Sequence, residues 1–263
     1  MSARHPEYRI TIVISALDEE EVIGATVASV LRVLDDHFAD YEVLLVNDGS
    51  KDQTGAIMNR LAADNARLRV IHNRQNEGLG AAYQRAIKEA RFEYLMLLCG
   101  DGGLPASSLP PVFDAIGSAD IIAPYMTNLR RIKTPMRFFM SSAYTGLLNL
   151  LFRQNIKYYN GLAIHRTDLL RQIRIVSTRF AFQGEVMIKL LKSGCSCAQI
   201  ETLAAENTHK SSALRLSNVV NVLKTLLLLI WEVSLFDGRN VHRSAASMKR
   251  VTSPASSAYE VRD

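Results

Sequence analysis

The feature that most restricts the fold of this chain is a set of four short, unbroken apolar runs in its first hundred residues, each followed by a polar loop. The runs are Arg9 to Ser15 (RITIVIS), Tyr41 to Asn47 (YEVLLVN), Leu68 to Asn73 (LRVIHN) and Tyr94 to Cys99 (YLMLLC). A half-buried strand alternates apolar and polar residues, so runs this continuous predict strands covered on both faces. Between them, residues 19–34, 53–63 and 78–90 place apolar side chains at helical spacing. Strand, helix, strand repeated in this way implies right-handed crossovers and an α/β fold with a mostly parallel sheet. A fifth short strand is predicted at Ile121 to Pro124, and a helix over Leu104 to Ile116 with Pro105 near its start. Asp18 with Glu21, and Ser50 with Gln53, have the spacing of capping boxes for the first two helices.

Composition narrows the function classes only a little. Of 263 residues, 48% are hydrophobic and 22% charged, which excludes global disorder. The net charge of +5 is too small to imply a nucleic-acid partner. Three cysteines, Cys99, Cys195 and Cys197, make neither a disulfide framework nor a four-ligand zinc site, so a reducing compartment is expected. Residues 1–8 lack the apolar core of a signal peptide, and export by that route is not expected.

In an open parallel sheet, ligands bind beyond the carboxyl ends of the strands. Here those ends run into Ser15-Ala16-Leu17-Asp18-Glu19-Glu20-Glu21, Asn47-Asp48-Gly49-Ser50-Lys51-Asp52, Asn73-Arg74-Gln75-Asn76-Glu77-Gly78 and Gly100-Asp101-Gly102-Gly103. They predict one crevice rich in carboxylates, amides and glycine. A dinucleotide-binding turn needs glycines after the first strand, where this chain has four acidic residues that would repel phosphate. Gly78-Leu79-Gly80 comes two strands too late and has Tyr83 in the third glycine position, and there is no P-loop pattern. A carboxylate-lined crevice suits a nucleotide held by hydrogen bonds from its base and ribose, with Mg²⁺ or Mn²⁺ neutralising its diphosphate.

The succession Ser15-Ala-Leu-Asp-Glu-Glu, Val46-Asn-Asp-Gly-Ser-Lys-Asp-Gln-Thr54, Asn76-Glu-Gly-Leu-Gly-Ala-Ala82 and Gly100-Asp101 resembles the family 2 glycosyltransferases of the GT-A fold, nearest to the polyprenyl-phosphate sugar synthases of the dolichol-phosphate mannose synthase type. The resemblance covers roughly residues 8–215. It implies a donor site in which Glu19 meets the base, flanked by Ser15 and Leu17 where the family usually has Pro and Tyr. Asp48 would contact the nucleoside, with Asn76 and Gly78 on the next loop. The family's Asp-x-Asp metal motif is half present: Asp101 stands at its second aspartate, Cys99 at its first, and Gly103 where a further Gln or Glu often lies. Asp101 is therefore the expected catalytic and metal-binding carboxylate.

Downstream, Tyr159-Asn160-Gly161 with Ile164-His165-Arg166 resembles the acceptor-side segment. Phe182-Gln183-Gly184-Glu185 resembles a later acidic element, which makes Glu185 the expected catalytic group near the acceptor. His209-Lys210-Ser211-Ser212 resembles a loop that closes on diphosphate. The resemblance implies inverting transfer by a single displacement. It assigns Asn160, Arg166, Lys210 and Ser211 to acceptor or phosphates, with Arg130, Arg131, Lys133 and Arg215 as further cations.

Two segments address the acceptor's setting. Pro135 to Phe152 gathers Arg137, Ser141, Ser142, Thr145 and Asn149 on one side, behind the basic Arg130, Arg131 and Lys133. Val219 to Phe236 carries a narrow polar stripe of Asn221, Lys224, Thr225 and Glu232 on an apolar surface. Both read as amphipathic helices that hold the protein on the cytoplasmic face of a membrane, or that pack on each other, on the sheet or across a dimer. The expected organisation is a glycosyltransferase domain at 1–216 containing the interfacial helix at 135–152, an amphipathic helix at 217–240, and a polar, disordered tail at 241–263. The activity so implied moves a sugar from a nucleotide diphosphate to a polyprenyl phosphate or related lipid. A soluble hydroxyl acceptor, or a non-catalytic nucleotide-binding scaffold, are the alternatives.

Overall fold

The computed structural model describes residues 4–179, 181–204 and 225–231. Seven strands form one sheet: β1 (Arg9–Ala16), β2 (Asp40–Asn47), β3 (Leu68–His72), β4 (Tyr94–Cys99), β5 (Ile121–Met126), β6 (Ile164–Arg166) and β7 (Cys197–Thr202). Their order is β3-β2-β1-β4-β6-β5-β7. β6 is antiparallel to β4 and β5, and every other pairing is parallel. The continuous apolar runs are explained by burial on both sides. Ile10, Ile12 and Ile14 of β1 face one apolar layer and Val13 the other. All four are fully buried, which contributes roughly 1.5–3 kcal/mol per side chain.

One layer is covered by α1 (Ile23–His37), α2 (Thr54–Asp64) and the short α4 (Pro110–Phe113). The other is covered by α3 (Leu79–Glu89), α6 (Pro135–Phe152), α7 (Thr167–Leu170), α8 (Phe182–Lys192) and the helical residues 225–231. A one-turn helix, α5 (Leu129–Ile132), precedes α6. The mostly parallel α/β architecture agrees with the sequence reading. β6 and β7 were not anticipated, and the helix expected over 104–116 is a 3₁₀ turn at Ala106–Ser108 followed by α4. Pro110 and Pro111 have no backbone N–H to continue a helix, although they tolerate its first turn, where α4 begins.

The two capping boxes do not form. α1 begins at Ile23 and α2 at Thr54, and neither has a side-chain cap. The polar side chains instead tie the β1–α1 and β2–α2 loops to each other. Asp18 Oδ1 accepts from Lys51 N, Ser50 Oγ from Asp18 N, Glu20 Oε2 from Gln53 N, Asp52 Oδ2 from Glu20 N, and Thr54 Oγ1 from Glu19 N. Asp18 has φ 55, a left-handed conformation that aspartate tolerates better than most residues.

Candidate active site

β1 is the switch point of the sheet, with β2 and β4 on its two sides. The hydrogen-bond ladders run past the strand ends: Asp48 N donates to Ala16 O at 2.9 Å, and Gly100 N donates to Ser15 O at 2.8 Å. These bonds bring the residues that follow β1, β2 and β4 onto one rim. Ser15 is buried in the strand end and Leu17 is exposed above it. Glu19, half-buried, and Asp101 both act electrostatically on the Cys99 thiol, which burial and these two carboxylates push up to about 12. Glu19, Asp48 and Asp101 therefore belong to one rim.

Asp48 is buried, and its carboxylate is already engaged. Oδ1 accepts from Asn73 Nδ2 at 2.8 Å and Glu77 N at 2.9 Å, and Oδ2 from Gly78 N at 2.9 Å. It thus holds the β3–α3 loop against the β2 end, with Asn76 exposed on that loop. Gly49 is required at the contact: it has φ +81, and a Cβ there would lie 2.5 Å from the Gln75 carbonyl carbon. Asp101 Oδ1 accepts from Gly103 N at 2.9 Å within its own turn.

The donor set near Asp101 is thin. Cys99 is a soft thiol rather than the carboxylate a hard cation prefers, Gly103 brings no side chain, and among the described residues no group of three or more His, Cys, Asp or Glu could hold a metal by itself. One carboxylate does fit a hard cation whose other ligands are water and substrate phosphates. The residues therefore fit a divalent ion that arrives with a diphosphate.

Further along the same rim, Asn160-Gly161-Leu162 crosses between β4 and β5. A Cβ on Gly161 would fall 1.8 Å from Pro124 O, and Leu162 takes the left-handed φ of 55. The Asn160 Oδ1 is buried without a hydrogen-bond partner among the described residues, which leaves it seeking a donor. Beyond it opens a groove of about 420 Å³ between the end of β5, α5, α6 and residues 157–158. Lys133 Nζ donates to Ser141 Oγ at 3.2 Å and to Tyr158 Oη at 3.0 Å, Lys157 Nζ donates to Tyr125 Oη at 2.9 Å, and Arg130 stacks on Phe138. No acidic residue is among those described as lining this groove. The polar stripe of α6 (Ser141, Ser142, Thr145, Asn149) faces it. Apolar Phe139 and Leu150 are turned outward, 68% and 78% exposed.

Two expected site residues are placed elsewhere. Arg166 pairs with Tyr94 at the opposite end of β4, and its guanidinium is bound to Asp168 at 2.7 Å and Asp120 at 3.5 Å. That end of the sheet is remote from the rim, and Arg166 is an ion-pair residue there. Glu185 is buried on α8: Oε1 accepts from Val176 N at 2.8 Å and Lys189 Nζ at 2.7 Å, and Oε2 from Ser177 N at 2.8 Å. Its oxygens hold the loop at 174–177. Lys210 and Ser211, with Arg215, lie outside the described residues, as does the tail at 241–263; of the 217–240 segment only residues 225–231 are described, and they are helical. Sequence reasoning did not single out Lys157, Tyr125 or Tyr158, which the fold brings together from separate segments.

A mostly parallel sheet with an acidic rim at its switch point is the GT-A architecture of nucleotide-sugar transferases. The family model described as Glycosyl transferase family 2 matches residues 11–174, and the chain belongs to that family. It is 25% identical over 240 residues to an undecaprenyl-phosphate mannosyltransferase of Micrococcus luteus, covering 85% of this chain and 96% of the relative. It is also 25% identical over 199 residues to glycosyltransferase AglD of Haloferax volcanii, covering 72% of this chain but only 32% of the relative. Among solved structures, glucosyl-3-phosphoglycerate synthase of Mycobacterium tuberculosis bound to UDP superimposes with TM-score 0.65 at 15% identity, covering 84% of this chain and 80% of that one. The same enzyme with Mn²⁺, UDP and glucosyl-3-phosphoglycerate gives 0.63 at 17% identity, covering 84% and 80%.

Proposed function

We propose that the chain transfers a sugar from a nucleotide diphosphate to a polyprenyl phosphate or another lipid-linked phosphate at a membrane surface. One juxtaposition carries this reading. The carboxylate rim at the ends of β1, β2 and β4 shares its edge of the sheet with a groove at the end of β5 that is lined by Arg130 and Lys157, has Lys133 bonded to its Ser141 and Tyr158, and is walled by a helix with Phe139 and Leu150 exposed. Acidic groups suit the sugar-nucleoside half of a donor. Cations without carboxylate partners among the described residues suit a phosphate, and the exposed apolar side chains of α6 suit the chain attached to it.

Glu19 and Ser15 line the donor's nucleoside end, and Asp48 shapes the loop carrying Asn76 and Gly78 that closes it. Asp101, together with the donor's own phosphates, would hold Mg²⁺ or Mn²⁺; when bound, such an ion neutralises charge growing on the departing diphosphate. Asn160 Oδ1, buried and without a partner among the described residues, would accept from a sugar hydroxyl that reaches it. An acceptor that is already a phosphate anion needs no deprotonation, which agrees with a site where Glu185 is engaged by backbone. The relative named as an undecaprenyl-phosphate mannosyltransferase, matched over nearly its full length, supports the lipid-phosphate class of acceptor. No helix among the described residues is long and apolar enough to cross a membrane. The proposed attachment is through α6 and residues 225–231 lying in the interface, on the cytoplasmic side.

The test is an assay of the purified chain with radiolabelled UDP-, GDP- and dTDP-sugars, Mn²⁺, and vesicles carrying polyprenyl phosphate. Label is expected in the organic phase, bound through an acid-labile phosphodiester. Label only on soluble hydroxyl acceptors would replace the lipid acceptor with the alternative reading, and absence of transfer to any acceptor would favour a non-catalytic role.

A further inference from the structure

A buried carboxylate is costly unless each oxygen is satisfied, and the partners of Glu185 are unusual in being mostly backbone. Val176 N and Ser177 N donate to its two oxygens, both at 2.8 Å. Lys189 Nζ bridges Glu185 and the carbonyl of Arg174 at 2.6 Å. Residues 174–177 are therefore fastened to α8 at three points, Arg174, Val176 and Ser177.

The other side of this loop meets the start of α3. The first N–H groups of a helix have no partner within it, and here the loop supplies one: Gly80 N donates to Thr178 O at 2.9 Å and Ala81 N at 3.3 Å. Gln84 Nε2 donates to Ser177 O at 3.1 Å. The approach is close enough to require both glycines. A Cβ on Gly78 would lie 2.6 Å from Thr178 O, and a Cβ on Gly80 would lie 2.6 Å from Ser177 O. The positive end of α3 is thus closed by protein carbonyls. Immediately before it, Glu77 N and Gly78 N are held by Asp48.

We infer that Glu185 is a positioning residue of the donor site: through residues 176–178 it sets the start of α3, and through Gly78 it sets the loop that Asp48 holds over the nucleoside. This rests on the reading of the rim as the donor site. The role differs from that of an acceptor contact, because it predicts a defect in nucleotide binding and none in acceptor affinity. The Ser177 hydroxyl also bonds the hydroxyl of Thr225, so the described helical residues 225–231 seat on the same loop.

The experiment compares wild type with Glu185→Gln and Gly80→Ala, measuring amide hydrogen exchange by residue and the dissociation constants of UDP and GDP, with the acceptor KM alongside. Glu185→Gln removes the charge behind both hydrogen bonds and replaces one acceptor oxygen with an NH2 donor, so exchange at Val176, Ser177, Gly80 and Ala81 should quicken by about tenfold while β1 amides keep their protection. The nucleotide dissociation constant should rise by about tenfold with an unchanged acceptor KM. Gly80→Ala should give the same nucleotide defect with Glu185 intact, and it carries the test if the Glu185 variant does not fold. Unchanged exchange at Gly80 and Ala81 in a folded Glu185→Gln protein overturns the inference alone. Faster exchange there without any loss of nucleotide affinity overturns the donor-site reading, and the positioning role with it.

Discussion

Asp48 and Asp101 sit on one rim but differ in what their removal should do. Asp101 accepts one hydrogen bond inside its own turn, so Asp101→Ala should leave the urea midpoint near wild type while lowering sugar transfer by at least about 100-fold; retained transfer would remove its catalytic role. Asp48→Ala strips partners from two backbone amides and the Asn73 side chain, and should lower unfolding free energy by roughly 2–4 kcal/mol in urea titrations. His165 gives a pH test. Burial pushes its pKa down to about 3, with the Tyr83 hydroxyl 2.9 Å from Nδ1. Below the unfolded value near 6.5 the unfolded chain gains a proton that the folded chain refuses, so stability should fall as pH drops from about 6.5 towards 3, by up to about 1.4 kcal/mol per unit. Replacing His165 by Gln should flatten that slope; an imidazole resonance of His165 titrating near pH 6.5 in the folded protein would contradict it. The residue types of the rim were legible in the sequence because loops at strand ends are local. The partners of Glu185 were not, since they lie in a different segment of the chain and are backbone N–H groups that every sequence carries.

Among the elements, α6 divides its surface three ways: its polar stripe lines a groove, Leu148 and Phe152 pack into the core, and Phe139 and Leu150 face outward. The sequence showed the stripe and the boundaries Pro135–Phe152, but periodicity cannot tell which side faces solvent. Phe139→Ser with Leu150→Ser should weaken sedimentation with vesicles containing anionic lipid while leaving the urea midpoint unchanged, because both side chains are mostly exposed. Loss of stability without loss of vesicle binding would show that the outward face packs against protein. Lys133→Gln should raise the acceptor KM by about tenfold and leave nucleotide affinity alone. The five strands read from the sequence are present because continuous apolar runs have few other uses at that length. β6 has only three residues, too short for any period to register, and the helix expected over 104–116 was overridden by two prolines. The capping-box spacing was real, but Asp18, Glu20, Ser50 and Asp52 found backbone partners in the neighbouring loop.

For the whole molecule, the strand order is what turns separate motifs into one site. Nothing in the sequence states that β1 lies between β2 and β4; that follows from the crossover pattern, and it places the loops after Ala16, Asn47 and Cys99 side by side. The same order sends β6 back antiparallel, which carries Asn160 to the rim and Arg166 to the far edge, a separation that six residues of sequence could not reveal. The proposed activity requires an activated sugar to bind where those three loops meet. The most direct measurement is a titration of the isotope-labelled chain with UDP- and GDP-sugars in the presence of Mn²⁺, following backbone amide resonances. Saturable shifts are expected at Leu17 to Glu19, Asp48 to Gly49, Gly78 and Gly100 to Gly103, abolished by Asp101→Ala; shifts confined to other surfaces, or none with any nucleotide sugar, would rule out a donor site on this rim.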